Sequence, residues 1–134
     1  MDKVIKEQWL AALRSGKYEQ TSEKLCDGTA YCCLGVLGDL YAKQHNINWV
    51  SKIDTDIDET VHTLLDAEFL LPSAVMRWAV VDEDPKVNIP DNIIAVLSVD
   101  RCHLVINKQT YVSVLNDNVG LTFNELADLI EASL

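Results

Sequence analysis

The stretch Tyr31–Tyr41, YCCLGVLGDLY, sets two adjacent cysteines before two glycines three positions apart in an otherwise apolar run. Leu34, Leu37, Leu40 and Tyr41 fall on one face at helical spacing, so residues 34–45 read as a helix. Each glycine inside it costs up to ~1 kcal/mol relative to alanine. Glycine in such a place commonly lets another backbone approach closely. The run therefore predicts a buried helix whose Gly35/Gly38 side presses on a second element. That demands a fold with a real core. At 134 residues, 49% hydrophobic and 24% charged, the chain is one domain's worth and has the composition of a globular protein.

Elements on either side complete the expectation. Residues 3–15 form an amphipathic helix, with Val4, Ile5, Trp9, Ala12 and Leu13 on its apolar stripe and Gly16 at its end. Residues 17–23 are a polar connection. Asp27-Gly28 predicts a two-residue hairpin turn between strands at 23–26 and 29–33. Residues 46–58 are mixed, with Trp49 and Val50 expected to return to the core. Val61, Leu64, Leu65 and Phe69 give the following segment a helical spacing. Pro72 suits the first turn of a new short helix. Residues 82–92 read as an acidic loop, and the β-branched residues of 93–106 as two strands or one bent strand. YVSVL at 111–115 fits a strand or a helical turn. Thr122 and Glu125 form a capping box before a helix that runs to about Ala132. The sum is an α+β protein: a single compact domain over 1–134, with four or five helices and a small antiparallel sheet.

The charge narrows the partners. Eleven Lys and Arg face 21 Asp and Glu, a formal net charge of -10. Such a surface repels phosphate backbones and anionic lipid and attracts basic proteins. The N-terminus lacks the apolar core of a signal peptide, and no apolar run nears the ~20 residues that span a bilayer. A soluble, cytoplasmic protein with reduced cysteines is the expectation.

Three groups of residues are candidate sites. Cys26, Cys32, Cys102 and His103 can be drawn as a zinc site, but the paired spacing of zinc motifs is missing, and buried cysteine packs as a small hydrophobe. Cys33, just before a helix start, is the candidate thiol nucleophile, with no base nearby in sequence. His45, His62 and His103 share no motif. The acidic clusters Asp54, Asp56, Asp58, Glu59 and Asp82, Glu83, Asp84 echo a calcium loop without its glycine at position six or its glutamate at position twelve. They read as solvated faces or as a docking surface for a basic protein. Arg14, Lys17, Tyr18 and Gln20, with Arg77 and Trp78, are the candidate lining of a pocket for a small anionic ligand; the helix dipole alone accounts for Arg14. No glycine-rich phosphate loop and no catalytic motif is present, so no catalytic residue and no cofactor is assigned.

Three segments together carry a resemblance: WLAALRSGKYEQ at 9–20, YCCLGVL at 31–37, and LND at 115–117 leading into TFNELA at 122–127. They resemble a group of small proteins encoded by tailed bacteriophages and prophages, over about a third of the chain. Gly38 departs from that pattern, which often has a third cysteine there; residues 46–110 resemble nothing named. The resemblance implies a phage accessory protein in a bacterial cytoplasm with a counter-defence role. Three functions follow as expectations. The first is an inhibitor that binds a basic host defence protein through an acidic surface. The second is an oligomeric sponge for a nucleotide-derived signal, a cyclic nucleotide or an ADP-ribose-like molecule. The third is an enzyme using Cys33 or a metal.

Overall fold

Helix α1, Lys3–Arg14, starts where the Asp2 carboxylate accepts from the N–H of Ile5 at 3.0 Å. It buries Ile5, Trp9, Leu10 and Leu13, while Val4 points outward. Gly16, at φ +72, ends it in the left-handed conformation. Helix α2, Cys33–Gln44, lies on the other side of the core and is capped by the Cys32 sulfur, which accepts from the N–H of Gly35 at 3.4 Å. Trp9 Nε1 donates to the carbonyl of Cys33 at 3.0 Å and ties α1 to the first turn of α2. The computed structural model describes residues 1–134, apart from the side chains of Asp100 and Cys102.

Among the described residues there are six helices and two two-stranded antiparallel sheets, an α+β fold around one hydrophobic core. The first sheet pairs β1, Val50–Asp54, with β2, Glu59–Thr63; the second pairs β3, Lys86–Asn88, with β4, Gln109–Tyr111. Along the chain, helix α3, Ser73–Ala79, lies between β2 and β3 and packs against α2, and helix α4, Asp91–Asp100, lies between β3 and β4. A short helix α5, Val112–Val114, continues into a π turn, Leu115–Val119, which settles the ambiguous YVSVL segment as helical. Helix α6, Phe123–Ser133, carries both halves of the expected capping box and packs against α1.

Several expectations are corrected, among them the acidic loop of 82–92, which contains strand β3. Residues 23–33 form no hairpin ladder; one bridge, Cys26 to Tyr31, is its remnant. The backbone groups are committed elsewhere: Leu25 N–H to Glu68, Tyr31 N–H to Glu19 and Thr21 N–H to Tyr31. The turn survives because the Asp27 carboxylate accepts from the N–H groups of Thr29 and Ala30, bonds that hold its pKa down at about 2. Residues 59–63 are strand, not helix, because β1 supplies a ladder partner for the β-branched Thr60, Val61 and Thr63. Leu65 and Asp66 then turn the chain at positive φ, and Phe69 stays exposed. Residues 91–100 are helix, not strand: Ile93 and Leu97, four apart, are buried while Val96 and Val99 face out, so tertiary burial overrides β-propensity. Pro72 sits at the N-cap of α3, one position before its first turn, and Val50 is exposed although Trp49 packs inward.

Gly35 and Gly38 press on neighbouring elements as expected. A Cβ at Gly35 would meet the carbonyl of Leu25, and one at Gly38 would meet Leu64 and the ring of Trp49. No helix among the described residues is long and apolar enough to cross a membrane.

Candidate functional site

Asp39, the lone charge of the apolar run, is buried at 5% exposure on α2. A carboxylate so placed must be matched by donors. Its oxygens accept from the Tyr18 hydroxyl at 2.6 Å and Trp49 Nε1 at 3.0 Å, and pair with Lys43 Nζ at 3.0 Å. Lys43 lies one turn further along α2, so helical geometry brings the two charges together. Its ammonium also donates to the Tyr18 oxygen at 3.2 Å and sits 5.2 Å from the Tyr18 ring centre. Tyr31 meets Tyr18 edge-on at 5.2 Å and Trp49 at 5.7 Å.

The electrostatics follow from that packing. The hydrogen bond to Asp39 holds the Lys43 ammonium above its ordinary pKa. Burial raises the Tyr18 phenol and pushes Tyr31 up to about 12. Local structure builds the frame: Gly16 turns the chain after α1 and leads it into Tyr18, and Gly38 leaves room for the Trp49 ring. The small residues Ala11 and Ala12 of α1 and Ser15 just after it face Leu40 across a cleft of about 530 Å³, with Tyr18, Tyr31, Asp39 and Lys43 on its walls and Lys17 at its edge.

Of the six candidate pocket residues, only Lys17 and Tyr18 reach this cleft. Arg14 turns to α6 and pairs with Asp128 at 2.7 Å and Glu131 at 3.0 Å. Gln20 donates to Asn116 Oδ1 and the Leu121 carbonyl. Trp78 packs edge-on against Tyr41 and His45. Arg77 lines a separate groove of about 1140 Å³, together with Asp82, Glu83 and Asp84.

The acidic candidates divide. Asp54, Asp56, Asp58 and Glu59 cluster at the tip of the β1–β2 hairpin, where Ile53 and Ile57 are 69% and 55% exposed. Asp82 and Glu83 face solvent. Asp84 points inward instead, accepting from the N–H and hydroxyl of Ser113 at the start of α5, and burial raises its pKa.

The three described cysteines are set for packing rather than attack. Cys26, Cys32 and Cys33 are buried free thiols. Burial raises Cys26, pushes Cys32 up to about 11 and lifts Cys33 well above its ordinary value, the opposite of what an attacking thiolate needs. Among the described residues no three His, Cys, Asp or Glu side chains gather to hold a metal; the side chain of Cys102 lies outside them.

Sequence reasoning missed Asp39, Lys43 and Trp49. The available signal was a single carboxylate within an apolar helix, followed by a lysine four residues on. It also missed Asn116, which is 4% exposed: its Oδ1 accepts from Gln20 and the N–H of Cys33, and its Nδ2 donates to Thr21 and Asp117. No curated protein and no solved structure matches the chain. A family model described as a domain of unknown function (DUF8296) matches residues 1–134, and the chain belongs to that family.

Proposed function

We propose that this is a bacteriophage accessory protein which, in the cytoplasm of the bacterial host, binds and inhibits a defence protein carrying a basic surface. The observation that carries the reading is the tip of the β1–β2 hairpin. Asp54, Asp56, Asp58 and Glu59 surround the exposed Ile53 and Ile57 there, with Lys52 the one Lys or Arg of the hairpin. Carboxylates steer a basic partner and set orientation. The isoleucines supply the apolar contact that exposed charges alone do not give. Within its two-stranded sheet β1 pairs only with β2, so its other edge is open to a partner strand. The net charge of -10 adds long-range attraction of the same sign.

The test compares wild type with the double variant Asp56→Lys, Asp58→Lys as bait in lysate of a bacterium with active defence systems, read by native mass spectrometry. The expected result is a basic protein held by wild type and lost by the variant, in a complex that weakens steeply as salt rises. A partner held equally by both baits, or held without salt dependence, overturns the reading.

A further inference from the structure

We propose that the cleft between α1 and α2 is a binding site for a small flat anion: an aromatic ring carrying a carboxylate or a phosphate. This rests on the cleft alone and is independent of the hairpin.

Size comes first. About 530 Å³ lies within the ~300–1,000 Å³ of small-molecule sites, and it holds one ring system with its charged group, not a polymer. The space exists because Ala11 and Ala12 of α1, and Ser15 just after it, line it, where longer side chains would fill it.

Shape follows from the two phenol rings. Tyr18 and Tyr31 stand at 84° to each other. Both line the cleft, so a flat ring entering it meets aromatic wall at two orientations, and edge-on as well as offset contacts are favourable for aromatic pairs.

Charge decides the sign. The Asp39 carboxylate already has the hydroxyl of Tyr18, the indole N–H of Trp49 and the ammonium of Lys43, so it is compensated within the wall. Lys17 is exposed, and among the described residues its ammonium has no hydrogen-bond or ion-pair partner. The cleft lining thus carries Lys17 and Lys43 against one Asp, a local surplus of positive charge on a molecule of net charge -10. A lysine ammonium is a point charge without the planar fork of arginine, so carboxylate and phosphate suit it equally.

The experiment is calorimetric titration of the purified chain with adenosine 5′-monophosphate and with benzoate, each beside a neutral counterpart, adenosine and benzamide. At least one anion is expected to bind with a Kd below about 1 mM, and about tenfold more tightly than its counterpart. Binding of the nucleotide alone assigns phosphate, of benzoate alone carboxylate, and of both a site that reads ring and charge only. Lys17→Ala is expected to weaken binding about tenfold. Ala11→Leu, at an exposed position, is expected to abolish it while the melting temperature stays unchanged. No heat from either anion, neutral counterparts that bind equally, or an Ala11→Leu protein that folds and still binds would each overturn the site.

Discussion

A Cβ atom on Gly35 would lie 1.8 Å from the carbonyl oxygen of Leu25. Helix α2 therefore rests directly on the backbone of another segment. That segment cannot retreat, because Leu25 donates to Glu68 and accepts from Cys32. Gly35→Ala gains ~1 kcal/mol of helix propensity and loses far more to the clash. It is expected to give unfolded or insoluble protein. At Gly38 the nearest atom is the Leu64 Cδ2, at 3.1 Å, the end of a side chain. Gly38→Ala is thus expected to be mild and Gly38→Leu to cost ~1–3 kcal/mol by overpacking. Urea unfolding should show Gly38→Leu less stable than Gly38→Ala, and soluble yield should show Gly35→Ala as the most damaging of the three; a stable, soluble Gly35→Ala protein would show that the two segments are not in contact.

Asp39→Ala removes the acceptor shared by Tyr18, Trp49 and Lys43. Two of those donors are partly buried and would lose a charged partner. The expected loss is about 3 kcal/mol, the range for hydrogen bonds to a charged group plus donors left unmatched. Trp49 fluorescence should change with it, since its indole N–H is released. Asp39→Asn keeps an acceptor and should fall between wild type and Ala. Equal stability of all three proteins would mean that the carboxylate is solvated.

Legibility differed by element. The capping box, α1 and α2 were readable because their signals are local: a side chain three residues from its backbone partner, or an apolar stripe on one helix. The strand of 59–63 and the helix of 91–100 were not, since β1 decides the first and burial of Ile93 and Leu97 the second. The site was half readable. Lys17 and Tyr18 lie next to each other in sequence, while Asp39 and Trp49 join them only through the fold. Much of the pattern at 9–20, 31–37 and 115–127 has a structural account: Trp9 bonds Cys33, and Asn116 bonds both Cys33 and Gln20. Those positions hold three segments together, so the pattern marks a fold more than an activity.

Stability should fall at alkaline pH. The Cys32 thiol titrates at its ordinary 9.0 in the unfolded chain and at about 11 in the folded one. Between those values the unfolded state has already lost the proton, so it binds fewer protons and is favoured as pH rises. The stabilisation is whole below pH 9 and is lost on passing through pH 11. Two units correspond to about 2–3 kcal/mol for this one group. Cys33 acts in the same direction, and Tyr31, moved from 10.0 to about 12, does so a unit later. Urea unfolding at pH 7, 9 and 10.5 measures it. Unchanged stability over that range, or rapid native-state alkylation of Cys32 and Cys33 at pH 8, would contradict the burial.

Helix α6 offers a comparison of two kinds of polar contact. Thr122 Oγ1 accepts from Glu125 N–H at 3.2 Å, and Glu125 accepts from Thr122 N–H at 3.1 Å. Those bonds satisfy backbone donors that no helical carbonyl can reach. Arg14 contacts Asp128 and Glu131 on the same helix, but the two carboxylates are 74% and 59% exposed. Water and salt screen such pairs. Thr122→Ala is therefore expected to cost about 1 kcal/mol, and Arg14→Gln clearly less. High salt should shrink the Arg14→Gln effect more than that of Thr122→Ala, because the bond that the Thr122 hydroxyl accepts from the Glu125 N–H joins two neutral groups. Thermal melts of both variants at low and high salt decide it. A larger loss for Arg14→Gln would mean that α6 is held to α1 by its ion pairs rather than by Phe123, Leu126 and Ile130 in the core.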